Sequence, residues 1–216
     1  PCLWLYAWDL LSLVVFVVFN HLVLARARWR AFAALIAAAV LNHEITLAIA
    51  LWMMLDPVIK RLAAPGPRRG GAFDRPMALA GVALMLVGSA LIVTLRRVLL
   101  VHETPPPEAA DALALHGGNL HFTLARNWDS LVHSFTLSPQ AGFQFVVPAF
   151  LLAVIVLAMR LALTDWARFG ALALVTLGMV ASFMCFGLVF ETRVLLPLVP
   201  FVAMHGWAVS RGREVE

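Results

Sequence analysis

The groups best able to do chemistry in this chain are charged side chains lodged beside long apolar runs. Arg96 and Arg97 are adjacent near the end of one run, and Glu191-Thr192-Arg193 separates two others. Asp9 falls inside the first run, and Asn42-His43-Glu44 interrupts the middle of the second. An ionisable group at membrane depth is expensive, so each is read first as functional. The plainer alternatives are an ion pair, a helix-packing hydrogen bond, or a long side chain reaching the headgroups. Two adjacent guanidinium groups at headgroup depth offer planar forks of donors that suit a phosphate, and ordinary lipid headgroups would suit them equally. Glu191 and Arg193 form either a surface pair or a buried pair that shapes a site. Asp9 is followed at three, seven and eleven residues by Ser12, Phe16 and Asn20, which places all four on one helix face directed inward.

Other chemistries find little footing. His43-Glu44 does not extend to His-Glu-x-x-His, and neither His21 nor His205 stands at ligand spacing, so no metal site is expected. Cys2 and Cys185 imply neither a metal site nor a disulfide framework; Cys185 is expected to pack as a small hydrophobe. No nucleophile elbow, phosphate-cradling glycine loop or dinucleotide fingerprint is present, and a cofactor is left unassigned.

These groups must be held by a chain that is 62% hydrophobic and only 13% charged. Soluble domains carry about 45–50% apolar and about 25% charged residues. The expected fold is therefore all-α: a polytopic transmembrane helix bundle forming one domain over 1–216, with the lipid bilayer as its partner. Fifteen arginines and one lysine, Lys60, cluster at a few places rather than along a polar face, so nucleic-acid binding is not expected. The start, Pro-Cys-Leu-Trp, lacks the features of a signal peptide and is read as the interior of a longer protein, of which this is a C-terminal part.

About five segments are expected to span: 4–25, 77–101, 143–163, 168–190 and 194–210. Two long connections, 56–76 and 102–142, lie between them. Within the second, an amphipathic helix over 119–136 carries Leu120, Leu124, Trp128, Leu131 and Phe135 on one side. It is expected to lie on the membrane surface or across the ends of the spans. The segment 31–55 is ambiguous, because its polar centre leaves two apolar halves each too short to span. Arg26, Arg28 and Arg30 precede it, and Lys60, Arg61, Arg68, Arg69 and Arg75 follow. Arginine-rich connections favour the cytoplasm. A re-entrant 31–55 puts both clusters there and makes 102–142 an outer loop; a plain crossing with a polar centre violates the rule once.

Two stretches carry a family resemblance. Leu41-Asn42-His43-Glu44-Ile45-Thr46 resembles an Asn-x-Glu-Thr element of bacterial GT-C-type glycosyltransferases, with Ile45 as an extra residue. Phe190-Glu191-Thr192-Arg193, leading to Pro197 and Pro200, resembles their C-terminal Glu-x-Arg…Pro…Pro element, and Tyr6-x-x-Asp9 fits the same pattern. The resemblance implies a multi-pass inner-membrane enzyme that moves a sugar from a polyprenyl-phosphate carrier at the outer face. Under it Asp9 is the catalytic candidate, although the acid usual in such enzymes would fall before residue 1. Arg96, Arg97, Glu191 and Arg193 would bind substrate, and Asn42, His43 and Glu44 would shape the re-entrant segment. Two competing classes are a transporter or flippase with a broken helix at the midplane, and a membrane scaffold without a site.

Overall fold

The computed structural model describes residues 7–40, 44–64, 73–100, 124–134, 146–186 and 192–210, and among these every regular element is helical. In chain order they are α1 (Ala7–Leu24), α2 (Trp29–Ala39), a 3-10 turn (Glu44–Thr46), α3 (Leu47–Ala63), α4 (Arg75–Leu100), α5 (Leu124–Ser134), α6 (Val146–Thr164), α7 (Trp166–Phe186), a 3-10 stretch (Thr192–Leu198) and α8 (Val199–Ser210). Among the described residues, three helices are long and apolar enough to cross a bilayer, over Arg75–Leu95, Val146–Thr164 and Trp166–Cys185. The described apolar stretches of the first and last segments, Leu10–Leu24 and Leu195–Trp207, are shorter.

Helix boundaries follow local chemistry. Asp74 accepts the Met77 N–H at 3.1 Å and so caps α4, with Pro76 in the first turn where a missing N–H is harmless. Asp165 does the same for α7, accepting the Arg168 N–H at 3.0 Å. Its own N–H closes the last turn of α6 on the Leu161 carbonyl at 3.1 Å. One residue therefore ends one long helix and begins the next. α1 ends in a Schellman motif: Ala27 N–H reaches the Leu22 carbonyl at 3.0 Å and Arg26 N–H the Val23 carbonyl at 3.2 Å. Arg26 takes the left-handed position, with φ 51°, where glycine is the usual residue.

The ambiguous segment 31–55 does not form one continuous helix. α2 stops at Ala39 and the chain resumes in the 3-10 turn at Glu44. α3 then continues past 55 to Ala63, through Pro57. The connection expected over 56–76 thus begins as helix, because Asp56, Pro57 and Ile59 are buried against the bundle and packing outweighs the local proline signal. Pro57 leaves the Met53 carbonyl without its i+4 donor. Similarly, the last segment opens as a 3-10 stretch containing Pro197 before α8 begins.

α3 is the centre of the bundle, packed on both α4 and α7. Its approach to α4 is close. A Cβ on Gly81 would lie 2.9 Å from the Ala50 carbonyl oxygen, and one on Gly88 would lie 2.7 Å from Leu47 Cδ2 and 3.0 Å from Val40 Cγ2. Small residues permit such backbone contact between apolar helices. The pairing of 50 with 81 and of 47 with 88 makes the two helices antiparallel. It also places the turn between α2 and α3 opposite Gly88, the midpoint of α4, leaving about 18 Å of α4 beyond it at 1.5 Å per residue.

Candidate functional site

Helix directions sort the charged residues into two ends. α1 delivers Leu22 and Val23 to one cavity, α2 leaves from it at Arg28–Phe32, α3 returns to it at Trp52–Arg61, and α4 and α7 start at it. The opposite end holds the start of α1, the end of α4, the 3-10 stretch at 192–198 and the end of α7. Arg96 lies 21 residues along α4 from Arg75, about 32 Å away on an ideal helix. The backbones of Asp9, Arg96, Arg97 and Arg193 thus share the end remote from the cavity. Glu191, Asn42 and His43 lie outside the described residues. Glu44 belongs to the turn at mid-height, apart from both ends.

At the remote end α5 packs on α7 through a polar anchor. Asn127, buried to 2%, donates from Nδ2 to the Met184 carbonyl at 2.8 Å and more weakly to the Phe183 carbonyl at 3.4 Å. These are among the last carbonyls of α7, which have no acceptor role left within the helix. Trp128, next in sequence and part of the expected apolar stripe, is 65% exposed, with Val132 one turn on at 50%. Sequence reading noticed the stripe and missed Asn127, since an asparagine that serves a helix 57 residues away leaves no local signal.

The cavity at the near end has a volume of about 790 Å³. Six cationic side chains line it: Arg26, Arg28, Arg30, Lys60, Arg61 and Arg168; three carboxylates, Asp56, Asp74 and Asp165, accompany them. Trp29, Phe32, Trp52 and Phe73 supply apolar walls. The carboxylates already have work. Asp74 and Asp165 cap helices, and Asp56 pairs with Lys60 at 2.6 Å, one turn along α3. Asp56 lies outside the three spanning-length helices; burial pushes its carboxyl up, and the Lys60 hydrogen bond and charge pull against that without cancelling it. Arg61 lies 5.8 Å over the Phe73 ring, Arg168 4.9 Å over Phe169, and Arg30 5.8 Å over Trp29, so aromatic faces hold the guanidinium groups.

Between the ends, Ser12, Phe16 and Asn20 are all buried, so the face of α1 that these three share turns inward. Asn20 donates from Nδ2 to the Phe16 carbonyl at 2.7 Å, which leaves Oδ1 to accept from His205 Nε2 at 3.0 Å. His205 therefore carries its proton on Nε2, and its buried Nδ1 is an acceptor that meets no donor among the described residues. The ring is clamped by Phe169 and Phe201. This pair ties α1 to α8 across 185 residues and acts as interhelical glue. Among the described residues no group of three or more His, Cys, Asp or Glu is placed to hold a metal ion.

No protein-family model, no curated protein and no solved structure matches this chain.

Proposed function

We propose that the chain is a multi-pass inner-membrane protein of the lipid-linked sugar transferase type, binding a polyprenyl-phosphate substrate at the outer face. In this reading residues 31–55 enter and leave the bilayer on the cytoplasmic side, and the remaining five segments span. The observation that supports it is the turn between α2 and α3 opposite Gly88, halfway along α4, with both arginine-rich connections beginning at the same bundle end. Positive charge favours the cytoplasm. Asp9, Arg96, Arg97 and Arg193 then gather at the outer end, where an excess of arginine suits a lipid phosphate and stabilises charge on a departing one.

Single cysteines at positions 28 and 69, in a cysteine-free background, should both be shielded from an impermeant thiol reagent added outside. Labelling of one alone would remove the re-entrant topology. For the substrate, polyprenyl-phosphate binding by wild type, Arg96→Ala, Arg97→Ala and the control Arg68→Ala is compared, with melting temperatures in the same detergent. The first two substitutions should weaken binding with little loss of stability; equal binding by all four proteins would eliminate the site.

A second reading draws on the same mid-depth turn. Half-helices that meet near the midplane also suit a transporter, with its substrate at the break. Transport of a lipid-linked sugar across vesicles without any product formed would favour it over the transferase.

A further inference from the structure

We propose that the arginine-rich cavity is a second binding site, separate from the outer-face site, and that it takes an organic phosphate: a phosphate group together with the carbon skeleton attached to it.

Charge gives the first reason. Among the described residues, six cationic side chains against three carboxylates leave a surplus of three positive charges around one cavity. All three carboxylates are engaged, two as helix caps and one with Lys60. Among the described residues Arg28, Arg30 and Arg61 form no ion pair, while their guanidinium forks match phosphate oxygens in shape. Clustered cations repel one another, and a bound anion relieves that repulsion.

The backbone gives the second. α2 starts at the cavity with Arg28 as its N-cap, no side chain caps it, and its first turn contains no acid. Ala31 N–H is taken by the Arg28 carbonyl at 3.0 Å, and the rest of this uncapped first turn, at the positive end of the helix dipole, lies beside the guanidinium groups. α4 and α7 also begin here, but each has its aspartate cap.

The third reason is a buried donor. Trp52, Asp56 and Lys60 follow one another at four-residue spacing and line the cavity along one face of α3. Trp52 is 4% exposed, and its Nε1–H meets no acceptor among the described residues. A buried indole N–H normally has a partner. Arg26 adds a conformational argument. It holds the left-handed position of the α1 terminus, where glycine would be unstrained, and so brings a cation to the cavity at some cost in backbone strain.

Size narrows the ligand class. A volume of about 790 Å³ lies within the usual range for ligand pockets, about 300–1,000 Å³, and exceeds what a bare phosphate needs. The aromatic walls at Trp29 and Phe73 suit the attached organic part. Two sources share this chemistry: the headgroup of an anionic phospholipid, and a soluble phosphate ester.

The test uses the full chain in neutral detergent, with melting temperature and native mass spectrometry as readouts. One arm titrates phosphatidylglycerol against phosphatidylcholine; the other titrates glycerol 3-phosphate against glycerol. Wild type should show a raised melting temperature and a one-to-one complex in at least one arm, which also identifies the source. Arg28→Gln/Arg61→Gln should reduce apparent affinity at least tenfold. Both side chains are exposed, so the fold should persist, and the unliganded melting temperature verifies this. Arg160→Gln removes an exposed arginine outside the cavity and should bind as wild type does. Arg96→Gln should also leave binding intact, which separates this site from the outer-face proposal. No shift in either arm, or equal loss in the Arg160→Gln control, would overturn the assignment. Should the double variant fail to fold, Arg28→Gln alone is read against Arg28→Lys; equal affinity in wild type and both would likewise overturn it.

Discussion

Helices α3 and α4 lie against each other, yet they meet different surroundings on their other sides. α4 turns Leu79, Leu86, Val87 and Val98 outward and satisfies the length and composition of a spanning helix. α3 is enclosed by α4 and α7, and Ile49, Ala50 and Met53 are wholly buried. It also carries Asp56, Pro57 and Lys60, which a lipid-facing helix could hardly accommodate. Hydropathy therefore identifies α4, whose exposed apolar face is compatible with lipid contact. The helix with the more unusual polar groups is the one packed on two neighbours, and there Asp56 and Lys60 partner each other.

The largest expected effect breaks this comparison at its packing. Met53→Ala should destabilise by about 2–5 kcal/mol, because a wholly buried side chain leaves a cavity. Leu86→Ala, at a position 66% exposed, should fall within about 0.5 kcal/mol of wild type in detergent melts. Equal losses would mean that α4 has a protein neighbour on its outer face.

The contact between the two helices comes next. Gly81→Ala should destabilise by about 1–3 kcal/mol, since its Cβ meets the Ala50 carbonyl oxygen at 2.9 Å and backbone cannot easily yield. Gly178→Ala on α7, with nothing within 4 Å, should gain about 0.5–1 kcal/mol from helix propensity. Similar values for both would show that α3 and α4 are less tightly joined than their glycines require.

The smallest effect concerns the acid on α3. Asp56 has a folded pKa above its ordinary value of 3.8, so the folded state favours its neutral form. The associated stability is complete below that value and is lost as pH rises through the raised one. Asp56→Asn stays neutral throughout. The melting temperatures of the two proteins should therefore diverge in favour of Asp56→Asn as pH rises from about 4, with Lys60 keeping the gap modest. A constant gap would mean that the carboxyl titrates as in water.

Local rules made the helical bundle readable. Asp74-Arg75-Pro76 announces the start of α4, and Glu44, last residue of the polar centre expected at 42–44, opens the 3-10 turn before α3. Pro57 did not end its helix where a proline ordinarily would, because burial of its neighbours in a three-helix contact outweighs one missing hydrogen bond. Arg26, Arg28, Lys60 and Arg61 were legible only as markers of membrane side. Their assembly with Arg168 around one cavity depends on three helix ends meeting, which no spacing along the chain encodes. Asn127 and the Asn20–His205 pair were hidden for the same reason: their partners are 57 and 185 residues distant.

Asp165, the single residue between α6 and α7, has a consequence for how the bundle is built. A link this short has almost no closure entropy to overcome, and the contacts it brings together are near neighbours in sequence. α6 and α7 should therefore assemble before the long-range partnership of α1 with α8 is possible. Formed as a paired unit, they would offer a ready surface on which the earlier α3 could dock. Pulsed hydrogen exchange during refolding should register protection in α6 and α7 first; earlier protection of α1 and α8 would reverse that order.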